Sequence, residues 1–210
     1  MQITYLFDPL CGWCYGAGPV LERLAERDGV TVSLAPTGLF AGAGARPMEA
    51  SFAAYAWQND QRIARLTGQP FSDDYRRRVL GASGGLFDSA PATLGVIAAG
   101  LDDGARELAV LKRLQRGRYQ EGRDIADRAV VADILGEAGL DVAAGRVRTP
   151  DADLIAAYDR RIAAARADMQ RFALDGVPAL VVDDGAGRRA LRGSALFGSF
   201  DLLTAQLAAA

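Results

Sequence analysis

The sequence predicts an α/β fold. A strand-helix-strand opening leads into a long helical block, and a helix-strand-strand-helix ending follows. Three observations predict this. The apolar, β-branched and aromatic stretch "ITYLF" (Ile3–Phe7) runs into "DPLCGWC", where Asp8-Pro9 ends a strand. From about residue 47 to about 144, apolar residues recur three and four apart. The chain then closes on a long amphipathic helix, a strand opened by Val177-Pro178, and a hairpin turn.

The elements follow in order. Leu21 and Leu24 of "VLERLAER" (Val20–Arg27) have helical spacing, and Asp28-Gly29 stops that helix. "VTVSLA" (Val30–Ala35) alternates Val30, Val32 and Leu34 with polar or small residues, which predicts a half-buried strand. Helices are expected over Met48–Leu66, Asp74–Leu80, Pro91–Leu101, Ala105–Leu114 and Ala129–Ala138. Ser89 ahead of Pro91, and Asp127 ahead of "RAVVADIL", are start signals. "FDSAPA" (Phe87–Ala92) reads either as that capped start alone or as a segment whose beginning faces the cysteines. Thr149 is placed as the N-cap of the clearest helix, with Pro150 at its first position and Asp151 and Asp153 at its positive end. Leu154, Tyr158, Ile162, Ala165, Met169 and Phe172 form its stripe, and Gly176 is its expected stop. "VPALVVD" (Val177–Asp183), the turn Asp184–Gly187 and "RRALR" (Arg188–Arg192) make a hairpin. An amphipathic helix, Phe200–Leu207, capped by Ser199, ends the chain. Residues 1–46 and 145–210 are therefore assigned to one core domain and 47–144 to a helical insertion.

Bulk properties narrow the function. Half of the 210 residues are hydrophobic and the net charge is -2, which suits a globular protein with a sizeable core. The pI of about 5.3 and the dispersed basic residues argue against a nucleic-acid partner. No apolar run approaches the ~20 residues of a membrane span. The opening has no basic, apolar targeting pattern, so a cytoplasmic location is expected.

Both cysteines, Cys11 and Cys14, fall in "FDPLCGWCYG". A structural metal site wants four Cys or His ligands. Two Cys and no His leave only a site shared between two chains, so no metal is expected. A permanent bridge across two residues closes too small a loop to constrain the unfolded chain much. The redox reading has a mechanism. A Cys at a helix N-terminus meets free N–H groups and the positive dipole end, which favours the thiolate, and the second Cys lies one turn on. CxxC beside a strand-helix-strand pattern is the expected context for such chemistry.

With CxxC between a first strand and first helix, and Val-Pro opening a later strand, the chain resembles the thioredoxin fold. The helical block places it with the DsbA-like branch. "DPLCGWCYG" is most similar to FrnE-like protein-disulfide oxidoreductases or isomerases, and Pro19 sits where thioredoxin-like helices often kink. The periplasmic members carry a His inside the CxxC; this chain has Gly12-Trp13. Kappa-class glutathione transferases and 2-hydroxychromene-2-carboxylate isomerases share the architecture but hold Ser where Cys11 stands.

The resemblance implies roles. Cys11 is the nucleophile that forms a mixed disulfide and Cys14 resolves it; an inert buried pair is the plain alternative. Gly12 lets a substrate backbone come close, or merely eases a turn, and Trp13 offers a flat apolar surface, or merely packs. Pro178 is implied to be cis and opposite the CxxC, so that the main chain of Val177 pairs with a bound peptide. Asp8, three residues before Cys11, is either a proton relay or an Asp-Pro turn residue.

The function expected is thiol-disulfide oxidoreductase, with a reducing direction favoured because the CxxC lacks a thiolate-stabilising His. The alternatives are a glutathione-dependent transferase or isomerase and a non-catalytic redox-sensing or peptide-binding module. No cofactor is expected beyond the dithiol itself, with glutathione as a candidate co-substrate. Protein or peptide thiols and disulfides are the expected partners, and the chain is expected to act as a monomer or homodimer.

Overall fold

A computed structural model describes residues 1–82 and 84–208. Its centre is a four-stranded sheet. Strand β1 (Gln2–Phe7) pairs parallel with β2 (Thr31–Pro36) and antiparallel with the later β5 (Ala179–Asp183). The edge strand β6 (Arg188–Arg192) pairs antiparallel with β5, closing the hairpin the sequence predicts. The mixed α/β architecture expected from the sequence is the one observed.

Side-chain alternation in the central strands explains why both sheet faces are covered. Ile3, Tyr5 and Phe7 of β1, with Leu180 and Val182 of β5, join the main core. Leu6, Ala179 and Val181 point the other way, against Ala165 and Met169 of the long helix described below. Tyr5 and Phe7 stack with ring centroids 5.6 Å apart. Each such fully buried large side chain is worth ~1.5–3 kcal/mol over an exposed one.

Between β1 and β2 the chain forms α1 (Gly12–Gly16) and α2 (Gly18–Ala25). The break falls at Ala17, and Pro19 stands in the first turn of α2, as expected for a kink there.

The excursion after β2 begins with β3 (Arg46–Pro47), α3 (Ala50–Thr67), α4 (Asp73–Tyr75), a wider turn over Arg76–Leu80, and β4 (Leu86–Phe87). It continues through α5 (Ala90–Asp102), α6 (Glu107–Tyr119), α7 (Arg128–Glu137) and α8 (Asp141–Arg148). Helix α5 is buried from Pro91 to Ala99, which its run of small and apolar residues permits. The two-residue ladder of β3 with β4 adds a strand pair within this helical part.

Two local expectations are corrected. Thr149 does not cap the long helix α9 (Ala152–Arg171). Its N–H closes the preceding helix on Gly145, and Asp151 takes the cap, accepting from the Leu154 N–H at 2.8 Å. Helix α8 was not expected: it is two turns long with Gly145 inside it, too short and weak for periodicity to reveal. Nor does α9 run to Gly176. Ala173 adopts a left-handed φ of 49°, and the Leu174 N–H returns to the Met169 carbonyl at 2.9 Å. That is a helix-ending motif normally made with Gly. The last helix, α10 (Phe200–Ala208), follows Ser199 directly.

Candidate active site

Strand β1 ends in a turn that sets up the cysteines. The Asp8 carboxylate Oδ1 accepts from the Leu10 N–H at 2.9 Å, and the Cys11 N–H donates to the Asp8 carbonyl at 3.1 Å. Cys11 then occupies the N-cap of α1 with extended backbone. Cys14 lies one turn on; its carbonyl accepts from the Tyr5 hydroxyl at 3.2 Å. Both cysteines are free thiols. Cys11 is 8% exposed and Cys14 1%, so a reagent reaches Cys11 first. Burial, and then the neighbouring Cys11, push the Cys14 thiol well above its ordinary value, and the charge of Asp8 adds in the same direction.

The Cys11 Sγ faces the carbonyl oxygen of Val177 at 3.7 Å, and the Val177-Pro178 peptide bond is cis. Two clefts meet at Trp13, whose ring packs edge-on against Phe197 with centroids 5.0 Å apart. The first cleft, about 280 Å³, is walled by Cys11, Phe40, Phe52, Phe87, Tyr55 and Asp60. The second, about 230 Å³, runs past Val177, Pro178, Arg192 and Ser194. The site residues named from the sequence, Cys11, Gly12, Trp13, Val177 and Pro178, thus gather on these two clefts. The space that a side chain on Gly12 would need is already filled from the protein side: a Cβ there would sit 2.4 Å from Asp60 Oδ1 and 3.1 Å from Ile63 Cδ1.

Asp8 is fully buried, and the turn reading describes its place in the structure. It holds the turn, yet its Oδ2 also accepts from the Ser89 hydroxyl at 2.7 Å and the Phe40 N–H at 3.1 Å. Burial raises its pKa, while the hydrogen bonds from Ser89, Phe40 and Leu10 pull it down. Ser89 stands at the start of α5, but its hydroxyl serves Asp8 instead of capping the helix. "FDSAPA" therefore does face the cysteine turn.

The sequence reading missed what the helical excursion contributes. The Tyr119 hydroxyl donates to the Leu10 carbonyl at 2.8 Å, and its ring stacks on Tyr15 at 4.6 Å. Arg118 is 1% exposed, and its guanidinium lies 5.4 Å from both the Tyr75 and Phe87 ring centroids. It bonds Asp124 at 3.3 Å, while its Nε and second Nη find no hydrogen-bond partner among the described residues. Asp60, 4% exposed, accepts from the Tyr75 hydroxyl at 2.9 Å. Burial raises Asp60 to about 7, against the lowering effect of Tyr75 and of the Arg118 charge. One signal for Asp60 was present: Ala53, Ala56, Asp60 and Ile63 share one face of α3, so an acid interrupts an otherwise apolar stripe.

Among the described residues no cluster of three His, Cys, Asp or Glu side chains suits a metal, and no helix is long and apolar enough to cross a membrane.

A sheet of this topology, with CxxC opening its first helix against a Val-Pro main chain, defines a thioredoxin fold bearing a helical excursion. The profile of the DSBA-like thioredoxin domain matches residues 2–208, and the chain belongs to that family. Among solved structures it is similar to the cytosolic disulfide reductase DsbM from Pseudomonas aeruginosa, with 35% identity over 99% of this chain and 97% of that one and a TM-score of 0.86. The same Pseudomonas protein solved with GSH matches at 34% identity over 99% and 97% of the two chains, with a TM-score of 0.81. A 2-hydroxychromene-2-carboxylate isomerase shares the fold at 20% identity over 98% and 94% of the two chains, with a TM-score of 0.65. No curated protein sequence matches the chain.

Proposed function

We propose that this protein is a cytoplasmic thiol-disulfide oxidoreductase working in the reducing direction, with glutathione as its source of electrons. Cys11 attacks a protein or peptide disulfide, a mixed disulfide forms on its sulfur, and Cys14 displaces the substrate thiol to close the Cys11–Cys14 disulfide. Glutathione then returns the pair to dithiols. The observation that carries this reading is the Cys11 sulfur in the wall of the first cleft, 3.7 Å from the Val177 carbonyl of the second, with Cys14 sealed beneath it. A strand of substrate lying along Val177 would present its sulfur to Cys11. The DsbM likeness, including a structure with GSH, supports both direction and co-substrate. Asp8, held by three donors at the base of the turn, is the candidate relay for the Cys14 proton.

The test is turnover of a glutathionylated peptide, with glutathione reductase and NADPH reporting the oxidised glutathione produced. Steady NADPH consumption that requires both cysteines supports the reading. Turnover that survives Cys14→Ser with unchanged kinetics would show monothiol chemistry and remove it.

A further inference from the structure

We propose that Asp60 is the general acid of the substrate half-reaction: its carboxyl delivers a proton to the thiolate that departs when Cys11 attacks a bound disulfide. The inference rests on the disulfide-reductase reading above and assigns a catalytic role to the helical excursion.

The geometry sets Asp60 apart from a structural acid. It rises from α3 into the wall of the cleft that holds Cys11. Its Oδ1 packs on Gly12, the residue directly after the nucleophile. Tyr75 bonds Oδ2, and among the described residues Oδ1 accepts no hydrogen bond, which leaves it turned toward the cleft. Asp8 is the contrast: three donors engage both of its oxygens. The charged and titratable groups around Asp60 are Tyr75 beside it, Arg118 and Tyr119 on α6, Cys11 at the head of α1, Tyr55 on its own helix, and Arg46 on β3 in the same cleft. Arg118 is the buried cation of this set, and its unpartnered nitrogens leave its charge to act on the surrounding acids. Burial keeps the Asp60 proton available near neutral pH. An alkyl thiolate, with an ordinary pKa of ~8.5, takes it downhill.

The step balances as follows. The Cys11 thiolate attacks one sulfur of R–S–S–R′, the Cys11–S–S–R bond forms, and R′–S⁻ leaves with the electron pair of the broken bond. The Asp60 carboxyl gives its proton to R′–S⁻, producing R′–SH and a carboxylate that solvent water later reprotonates. Cys14 then displaces R–S⁻, which leaves with the proton Cys14 loses. The substrate gains two electrons and the cysteine pair loses two.

A general acid matters most when the leaving group is basic. The experiment compares single-turnover oxidation of the reduced protein by bis(2-hydroxyethyl) disulfide, which releases a basic alkyl thiolate, and by 5,5′-dithiobis(2-nitrobenzoate), whose aromatic thiolate needs no proton. Asp60→Asn should slow the alkyl reaction on the order of 100-fold, the low end for general-acid catalysis, and the aromatic reaction far less. Equal slowing of both, or slowing of neither, overturns the proposal and leaves the dithiol reading standing. A wild-type protein that reacts with neither disulfide sinks the dithiol reading itself. Should Asp60→Asn fail to fold, Tyr75→Phe carries the test. Loss of that hydrogen bond raises Asp60 further, so the alkaline fall of the alkyl rate should move to higher pH. An unmoved limb would overturn the assignment.

Discussion

The Cys11 sulfur and the Val177 carbonyl oxygen stand 3.7 Å apart, although 166 positions separate them in the chain. Strand pairing makes the meeting. Leu6 of β1 sits opposite Ala179 of β5, so the turn leaving β1 and the turn entering β5 emerge at the same end of the sheet. The Cys11 sulfur and the Val177 main chain are thus brought together by the most buried part of the fold, not by either loop.

That placement predicts unequal cysteines. One equivalent of iodoacetamide on the reduced native protein should label Cys11, since Cys14 is both more buried and held as a thiol at neutral pH. Peptide mapping reads the result. Cys14→Ser should accumulate mixed disulfides on Cys11, visible by intact mass, whereas Cys11→Ser should form none. Preferential labelling of Cys14 would reverse the assigned roles.

Ser89→Ala tests the link between Asp8 and the helical excursion. It removes one of three donors to a fully buried carboxyl group and leaves Oδ2 with the Phe40 N–H alone. The expected cost is about 1–3 kcal/mol, read from urea midpoints at constant m-value. Because the Ser89 hydrogen bond lowers the Asp8 pKa, its loss should also raise that pKa, which carbonyl-labelled aspartate NMR would detect.

Asp60 gives stability a pH dependence whose sign is fixed. Its pKa is about 7 in the folded chain against an ordinary 3.8. The folded state therefore binds the proton more tightly than the unfolded state does. The stability this adds is complete below about pH 4 and is lost as pH rises through about 7. The difference in unfolding free energy between wild type and Asp60→Asn should accordingly shift in the variant's favour across that window. A pH-independent difference would mean that Asp60 stays charged in the fold.

The parts legible in the sequence share one property: their determinants are local. Ile3–Phe7, the CxxC, Asp127 as a cap and the stripe of α9 each lie within a few turns of chain, where propensity and periodicity act. What escaped depends on partners far away or on competition between neighbours. Thr149 and Asp151 are both good caps; the helix starts at Ala152, so the cap falls to Asp151, while the Thr149 N–H closes α8. Ser89 looked like a cap until Asp8, 81 positions away, took its hydroxyl. Tyr119 and Arg118 are ordinary members of a polar-looking helix, and nothing near them in sequence reveals that they close over the cysteine turn.

Gly12→Ala should show how tightly the excursion is keyed to the motif. The new methyl would meet Asp60 Oδ1 and Ile63 Cδ1 inside contact distance, and both side chains are buried. Overpacking of this kind costs roughly 1–3 kcal/mol. Thermal melts should register the loss. Alkyl-disulfide turnover should fall as well, since the carboxyl must retreat from the residue beside Cys11. A variant of wild-type stability and activity would show that α3 can slide freely past α1.

The last prediction concerns the join between the excursion and the sheet. Arg161 on α9 grips the Glu107 carboxylate on α6 with both terminal nitrogens, and its second nitrogen also donates to the Leu34 carbonyl of β2 at 2.7 Å. One guanidinium therefore ties three elements, two from the core and one from the excursion. Glu107 is largely buried, and Arg161 keeps more than a quarter of its side chain in solvent, so screening trims the pair. Removing either partner strands the other: Arg161→Ala leaves a buried carboxylate and an open carbonyl, while Glu107→Gln keeps the shape and one acceptor oxygen. We expect Arg161→Ala to cost about 2–3 kcal/mol and Glu107→Gln about half that, within the range for hydrogen bonds to charged groups. Because the two residues share the same bonds, the double variant should cost less than the sum, with a coupling energy between about 0.5 and 3 kcal/mol. Additive costs from the four urea titrations would show that the contact holds nothing together.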